Sequence, residues 1–305
     1  MATLAKCGAR GGRRRRPKHG EALCLAVSDA LVRRGPAHQL PVGRPPSAGV
    51  GTVSSAPVLQ SFAGGRLIAD RYGQASPRVL ALHGWQRSRR DFAPFFAAAR
   101  VPGLAVDLPG FGESPPPPAA WGSPQYAAAL DDVLDAMDAS VVVVGHSLGG
   151  RIALQLAVRR PERVAGLLLT GVPLFRANTS SSTPALAYRV VRALARAGVA
   201  PPSALEAARR HYGSHDYRNA LGVMREVLVT VVNETYDTPI ATCQCPVELV
   251  WGAEDRVCPV AVAERAGDAF ARAHVAVIDG IDHFLPLRAP EALVEALRRL
   301  EGRLA

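Results

Sequence analysis

The sequence predicts an α/β protein with a mostly parallel central sheet, helices on both faces and an inserted helical cap. Three observations predict this class. Short apolar segments alternate with helical ones from about residue 65, four of these segments are nearly continuous Val, Leu and Ile, and one long connection interrupts the alternation. Such apolar runs are typical of strands that are buried on both faces of a parallel sheet.

Seven short apolar segments are the strand candidates. They are residues 66–72, 78–82, 103–107, 140–144, 165–170, 247–251 and 274–278. Between them lie stretches with apolar residues at three- and four-residue spacing, which predicts helices. These are residues 126–137, 149–159, 260–273 and 290–300.

The connection between the fifth and sixth of these candidate strands is far longer than the usual strand-to-helix loop of about 2 to 6 residues. Three stretches within it offer an apolar helical face: 184–197, 202–212 and 216–233. We therefore interpret residues 174–240 as a helical cap that is inserted into a domain spanning residues 57–305.

The amino-terminal segment differs in composition from the rest. Residues 1–56 are rich in Gly, Pro, Ala and Arg, and they carry most of the formal net charge of +10, including the run Arg13–Arg16. They are expected to form a disordered, basic extension. The nearly neutral remainder argues against a nucleic-acid-binding domain, although the arginine run leaves contact with nucleic acid or acidic lipid as an alternative to a solvated tail.

Hydropathy and cysteine content bear on location and cofactors. No stretch approaches the ~18 apolar residues of a membrane span, and residues 21–29 are a poor secretion signal. Five cysteines are an odd number, which argues against a disulfide framework and favours the cytoplasm. Cys243 and Cys245 alone make an incomplete metal site, so neither a metal nor an organic cofactor is expected.

The run Gly145-His-Ser147-Leu-Gly149 fits the pattern G-x-S-x-G. Valines 141–144 precede it and an amphipathic helix follows it, and this strand–turn–helix context is what a nucleophile at a tight elbow requires. Glycines at both ends remove side chains that would clash in such a turn. Ser147 is therefore the candidate nucleophile.

A serine hydroxyl is a weak nucleophile, so it needs a base, and the base needs a carboxylate to orient it. Asp255 follows the sixth candidate strand and His283 follows the seventh. The order Ser147, Asp255, His283 is that of nucleophile, acid and base in this type of sheet, and the carboxyl ends of strands are where its active sites lie. Glu254 is the competing candidate for the acid.

An oxyanion that forms on the substrate needs hydrogen-bond donors. We expect the backbone N–H of Leu148, at the start of a helix, and that of Trp85, on the loop 83–85 after the second candidate strand. His83 and His146 flank the site. Asp107 is expected to shape the turn before Pro109.

Residues 65–303 resemble the α/β-hydrolase superfamily, in its lid-bearing branch. The resemblance lies in Leu82-His-Gly-Trp85, Val106-Asp-Leu-Pro-Gly-Phe-Gly-Glu-Ser114, Gly145-His-Ser-Leu-Gly-Gly150, Trp251-Gly-Ala-Glu-Asp-Arg-Val257 and Asp282-His-Phe284. It implies the fold and the Ser147–Asp255–His283 triad. It also implies that His83 and His146 pack and hydrogen-bond rather than react. One departure is Asp282, since family members often have Gly before the catalytic His. This carboxylate either raises the basicity of His283 or faces solvent, and we favour solvent.

The resemblance leaves the substrate open, because members of this branch share these motifs whether they cleave esters, lactones or thioesters. The expected function is a serine hydrolase that acts on a small to medium, mostly apolar acyl group. The expected apolar lining of the acyl pocket lies in the cap, at Leu186, Val190, Leu194, Leu221 and Val227. The alternatives are a cofactor-free perhydrolase or haloperoxidase, an acyltransferase using the same triad, and a non-catalytic ligand-binding protein on the same scaffold.

Overall fold

A computed structural model of the chain describes residues 56–175, 186–212 and 215–304. Its centre is a single eight-stranded sheet with the order β1-β2-β4-β3-β5-β6-β7-β8. Strands β1 and β2 run antiparallel to their neighbours, and all pairings from β4 through β8 are parallel. The strands are β1 (Val58–Phe62), β2 (Leu67–Tyr72), β3 (Val79–Leu82), β4 (Gly103–Asp107), β5 (Val141–His146), β6 (Val164–Thr170), β7 (Val247–Gly252) and β8 (Ala273–Ile278).

Twelve α-helices occur in the described residues. They are α1 (Ala93–Ala99), α2 (Ser123–Ala129), α3 (Asp131–Asp135), α4 (Leu148–Arg159), α5 (Leu186–Arg196), α6 (Pro202–Tyr212), α7 (His215–Asn219), α8 (Val223–Asn233), α9 (Asp237–Thr242), α10 (Val260–Ala269), α11 (Leu285–Arg288) and α12 (Pro290–Gly302). Short 3₁₀ turns lie at Ala63–Gly65 and Arg89–Phe92.

The predicted fold class is confirmed: a mostly parallel sheet carries helices on both faces. All seven predicted strands are present within two residues of their expected ends. β1 was not predicted, because it is an edge strand with mostly exposed side chains and so has no continuous apolar segment. The predicted helix 126–137 is two shorter helices, α2 and α3, that meet at Leu130.

The strands alternate their side chains between two apolar layers, as the pleat of a strand dictates. Leu80, Leu82 and Val143 point into one layer with residues of α4. Val79, Ala81, Val142 and Val144 point into the other with residues of α1 and α12. Since both faces of the central strands are covered, their sequences are continuously apolar.

Helices α5 to α9 lie between β6 and β7, and α9 ends two residues beyond the segment 174–240 that was predicted as a cap. The predicted helix 216–233 is interrupted: Gly222, with φ of 52°, separates α7 from α8. A left-handed backbone cannot continue a right-handed helix, and the sequence pattern alone did not reveal this break. Residues 176–185 and 213–214 of the predicted cap lie outside the described residues.

The predicted extension 1–56 also lies outside the described residues, except for its last position. In the three described ranges, none of the helices combines the length and the apolar character that would be needed to traverse a lipid bilayer.

Candidate active site

Ser147 lies at the junction of β5 and α4, where its backbone is strained. Its φ of 51° and ψ of −112° are rare for a residue with a side chain. The turn is tight enough that a Cβ atom on Gly145 would overlap Gly150, and one on Gly149 would overlap the Leu82 carbonyl. The two glycines of the pattern therefore permit the turn that holds Ser147 at the carboxyl edge of the sheet.

Asp255 and His283 come from the loops that follow β7 and β8, and they form a hydrogen-bonded pair. The His283 Nδ1 atom lies 2.7 Å from Asp255 Oδ2, so Nδ1–H donates to the carboxylate. The other carboxylate oxygen accepts the backbone N–H groups of Val257, at 2.9 Å, and Cys258, at 2.7 Å. Both members of the pair are buried. The carboxylate is thus fixed in orientation and holds the ring with Nε2 free to accept a proton.

Two contacts bring this pair to the nucleophile. The Ser147 N–H donates to the Thr170 carbonyl at the end of β6, at 3.0 Å. The next residue, Gly171, packs so closely on the pair that a Cβ atom there would lie 2.9 Å from the His283 ring and 3.3 Å from Asp255 Oδ2. Ser147, Asp255 and His283 therefore converge on the end of β6.

His146 links the elbow to the loop of His283. Its Nε2–H donates to the His283 carbonyl at 2.9 Å, and the centroids of the two rings are 4.8 Å apart. Burial, together with the nearby His283, lowers the pKa of His146 to about 3. The ring is therefore neutral at neutral pH and positions the His283 loop as an uncharged donor.

The loop after β3 carries the predicted second oxyanion donor. The Gly84 carbonyl accepts hydrogen bonds from His83 Nδ1–H, at 2.7 Å, and from the Arg87 N–H, at 3.3 Å. Because a trans peptide directs its C=O and N–H in opposite directions, the Trp85 N–H of the same peptide points away from these partners. A Cβ atom on Gly84 would lie 3.3 Å from the Ser147 Cβ, so this peptide is beside the elbow.

Leu148 is the first residue of α4, and its N–H has no intrahelical acceptor for that reason. Among the described residues, neither the Leu148 N–H nor the Trp85 N–H has a hydrogen-bond partner. Two free donors therefore lie next to Ser147, one of them at the positive end of a helix. Their oxyanion role, like the roles of Ser147, Asp255 and His283, stays a prediction.

His83 lies behind this loop and connects it to the next. Its Nε2 accepts the Leu108 N–H at 3.0 Å, which leaves Nδ1 as the protonated nitrogen that binds the Gly84 carbonyl. Burial lowers the pKa of His83. The expected packing and hydrogen-bonding role of His83 agrees with these contacts.

A buried ion-pair network supports the same loops from below. Asp107 is completely buried, and its carboxylate accepts the backbone N–H and guanidinium of Arg89 and the N–H of Glu113. Arg89 also pairs with Asp70, at 2.8 Å, and with Glu113, at 2.9 Å. Burial alone lowers the pKa of Arg89, but its three carboxylate partners raise it overall. Asp107 therefore shapes the turn, as expected, and ties it to the loop after β3.

The two carboxylates that the sequence left open take no part in the pair. Glu254 is exposed, whereas its neighbour Asp255 binds His283. Asp282 accepts the N–H of Phe284 at 3.0 Å, and its other oxygen lies 3.8 Å from Arg288 with 43% of the side chain exposed. Asp282 therefore faces solvent, as the sequence analysis favoured.

The apolar lining expected from the cap is not where the sequence placed it. Val227 is fully buried in the core, while Val190, Leu194 and Leu221 are exposed to solvent; the side chain of Leu186 lies outside the described set. Apolar groups near the elbow come instead from Trp85 and Phe111, whose ring centroids are 5.0 Å apart. Met224 of α8 joins them through a close contact with Gly110.

Three further residues of the site were not found from the sequence. Gly171 makes room for the His283–Asp255 pair, Arg89 anchors two loops, and Arg151 of α4 donates to the Pro173 carbonyl, at 2.7 Å, and to the Val231 carbonyl of α8, at 2.7 Å. A glycine directly after a strand could have signalled the first. The two arginines gave no signal, because their partners are distant in sequence.

Comparison with known proteins identifies the family. The sequence model of the Alpha/beta hydrolase family matches residues 79–296. This chain belongs to the alpha/beta hydrolase family. The match includes all five residues predicted for the triad and the oxyanion donors, although it does not itself assign their roles.

Individual relatives agree with this assignment. An uncharacterized protein of Mycobacterium tuberculosis is 27% identical over 266 residues, which cover 76% of this chain and 77% of the relative. An esterase of the same organism is 36% identical over 123 residues, 38% of this chain and 40% of the relative. Homologues with a named activity include esterases and a lipase, which supports ester hydrolysis as the general reaction.

Solved structures share the fold. The structure of that M. tuberculosis esterase superposes with a TM-score of 0.59 at 22% identity, covering 82% of this chain and 93% of the other. A serine hydrolase involved in carbazole degradation gives a TM-score of 0.58 at 23% identity, covering 81% and 100%. At these identities the superpositions establish the fold alone.

Proposed function

We propose that this alpha/beta hydrolase is a serine hydrolase that cleaves a carboxylic ester, lactone or thioester through an acyl-enzyme on Ser147. The observation that carries the proposal is the convergence of a strained Ser147 with the hydrogen-bonded pair of Asp255 and His283. Strain at a functional residue persists only where the surrounding fold enforces it. Here the close packing of Gly145 on Gly150 and of Gly149 on the Leu82 carbonyl, which leaves no room for a Cβ atom, does so.

In the acylation step, His283 Nε2 takes the proton of the Ser147 hydroxyl while the oxygen attacks the acyl carbonyl. Asp255 stabilises the imidazolium that results, since its carboxylate already accepts Nδ1–H at 2.7 Å. The N–H groups of Leu148 and Trp85 bind the oxyanion of the tetrahedral intermediate. His283 then protonates the leaving alcohol or thiol as its bond to the acyl carbon breaks.

In the second half of the cycle, water takes the place of the leaving group. His283 removes a proton from the water as its oxygen attacks the acyl-enzyme, and it returns that proton to Ser147 as the acid product leaves. Both halves therefore use the same base and the same two donors, and the proton count closes after each turnover.

The acyl group is proposed to be small to medium and mostly apolar. Trp85, Phe111 and Met224 form an apolar cluster beside the oxyanion loop. The nearest cation on that loop, Arg87, is already bound by Asp91 in two hydrogen bonds of 2.6 and 2.8 Å. An apolar wall whose nearby charge is neutralised favours an uncharged acyl chain.

A fluorophosphonate probe tests the nucleophile. The wild type is expected to be labelled and Ser147→Ala to be unlabelled, because the probe reacts only with an activated serine. Ser140→Ala is the matched control, since Ser140 is exposed and lies seven positions earlier in the chain; it should label like the wild type. Equal labelling of Ser147→Ala would refute the proposal.

A series of nitrophenyl esters tests the acyl group. We expect kcat/KM to peak at a short or medium chain in the wild type. Met224→Ala is expected to move the maximum towards longer chains, because it removes a side chain that packs on the loop at Gly110. A flat profile, or one unaffected by this substitution, would contradict the proposed position of the pocket.

A further inference from the structure

Two neighbouring cysteines lie outside the proposed active site and take no part in the proposed hydrolysis. Cys243 directly follows α9 and Cys245 lies two residues later, before β7. Their Sγ atoms are 3.7 Å apart, and both are free thiols. Since β7 runs from this point towards Asp255, the pair lies at the opposite end of the strand from the proposed catalytic acid.

The pair is close enough for a covalent bond between its sulfur atoms. Residues two apart in a chain have Cα atoms separated by at most about 7 Å, near the upper limit for a disulfide. The existing Sγ–Sγ contact shows that the two side chains already point at each other. Closing from 3.7 Å to the bond length of about 2.05 Å needs only a small rotation of the side chains.

The two thiols differ in access and in proton affinity. Cys243 is buried, with 3% of its surface exposed, whereas Cys245 is only partly buried. The hydrogen bond between them lowers the pKa of Cys243 and raises that of Cys245, so the pair shares one proton when it carries a single negative charge. Arg272 adds a positive charge near Cys245. A shared proton next to a cation is typical of reactive thiols.

Metal binding is the less suitable use of this pair. A structural zinc site has four ligands, and no cluster of three or more His, Cys, Asp or Glu side chains in the described ranges is arranged to hold a metal ion. Two sulfur atoms in contact, one of them accessible, are in contrast sufficient for thiol–disulfide exchange.

We propose that Cys243 and Cys245 form a reversible dithiol–disulfide couple that reacts with small-molecule disulfides. Proton transfer from Cys245 to the Cys243 thiolate across their contact leaves the accessible Cys245 as the thiolate, which attacks one sulfur of the disulfide and expels a thiolate. The Cys243 thiol then loses its proton to that thiolate and attacks Cys245, which expels the second one. The pair is oxidised by two electrons, and the small disulfide is reduced to two thiols.

Oxidised glutathione followed by alkylation and trypsin tests the couple. Trypsin releases both cysteines in one peptide, residues 226–256, which contains no other cysteine. In the folded wild type this peptide is expected to lose two hydrogen atoms, to resist alkylation and to become doubly alkylated again after treatment with dithiothreitol. A lasting glutathione adduct on the peptide, or two alkylated cysteines, would overturn the proposal.

Single variants separate the two roles. Cys243→Ser should retain one glutathione on Cys245, because nothing remains to expel it, and Cys245→Ser should take up none, because Cys243 is buried. Cys258→Ser is the matched control: it removes another buried thiol and should leave the 226–256 peptide oxidised as in the wild type. A different degree of oxidation of this peptide in Cys258→Ser and in the wild type would also contradict the proposal. If a variant fails to fold, the oxidation of the peptide in the wild type decides the proposal.

Discussion

The loops at the carboxyl edge of the sheet and the cap helices are held in place by different means. Asp107, Arg89 and the Asp255–His283 pair are buried and each makes several directed hydrogen bonds. The cap helix α5 exposes Val190 to 47%, and Leu221 before α8 is exposed to 74%. Several directed hydrogen bonds therefore fix each of these loops, and the predicted cap is attached at separate points.

Both apolar and polar contacts attach the predicted cap, and Val227 and Val231 of α8 are buried in the core. Arg151 of α4 binds a carbonyl of α8, Met224 packs on Gly110, and the Glu234 carboxylate accepts the N–H of Ser123 at 2.7 Å. The proposed chemistry therefore rests on the loops, while the proposed substrate range depends on the loops and also on Met224 of α8. Substitutions in the loops should change the rate or the stability, while those at the cap contacts should change binding.

The largest effect is expected from Asp255→Asn. The single amide oxygen is expected to keep the N–H groups of Val257 and Cys258, so the amide NH₂ faces His283 Nδ1 and donates to it. The ring then loses the tautomer that leaves Nε2 free to accept a proton. The kcat for a nitrophenyl ester should fall by about 10⁴-fold with little change in KM, as for other triads that lose this carboxylate. Glu254→Gln, at the exposed neighbouring residue, should keep full activity. A loss below tenfold in Asp255→Asn would assign the acid to another group.

Arg89→Met breaks the network beneath the loops. It leaves Asp107 and Asp70 buried without their cation, so the free energy of unfolding in denaturant titrations should fall by about 3–5 kcal/mol. Arg160→Met is the comparison, because Arg160 pairs with Asp131, Asp135 and Glu162 at the surface and should leave the unfolding midpoint nearly unchanged. Equal losses in the two variants would remove the distinction between buried and exposed pairs.

His146→Gln is expected to change how the free energy of unfolding depends on pH. The folded pKa of His146, about 3, lies below its ordinary value of 6.5, so the unfolded chain binds more protons between these limits. Its share of stability is complete above pH 6.5 and falls as the pH drops, by about 2 kcal/mol at pH 5. Gln retains a donor for the His283 carbonyl without titrating, so the variant should lose that much less stability between pH 7 and 5. An identical slope would mean that His146 is not the group that titrates.

Arg151→Leu should have the smallest effect and should act on the cap. It leaves the Pro173 and Val231 carbonyls without their donor, which should reduce the free energy of unfolding by about 1–2 kcal/mol. KM for a nitrophenyl ester should rise more than kcat falls. Arg265→Leu is the control, because Arg265 is exposed and stacks on the Phe175 ring at 3.9 Å. A fall in kcat at constant KM would show that Arg151 acts through the helix of Ser147 instead.

Much of the sheet could be predicted because its signal is local. Each buried strand is a continuous apolar segment, and β4 was predicted at its observed ends. The elbow is equally local, since Gly145, Ser147 and Gly149 fall within five residues and their backbone strain follows from that spacing. β1 escaped prediction because an exposed edge strand needs no apolar run, and the break at Gly222 escaped because it interrupts an otherwise helical pattern.

Patterns within strands and at their ends predicted the fold class, the elbow and the candidate nucleophile, acid and base. Only the tertiary structure decided that Asp255, not Glu254, binds His283, that Arg89 joins three carboxylates and that Gly171 makes room for the pair. It also buried Val227 in the core and left Val190, Leu194 and Leu221 exposed. The reason is physical: such contacts join residues far apart in the chain, and no local pattern encodes which distant groups the packing of strands and helices brings together.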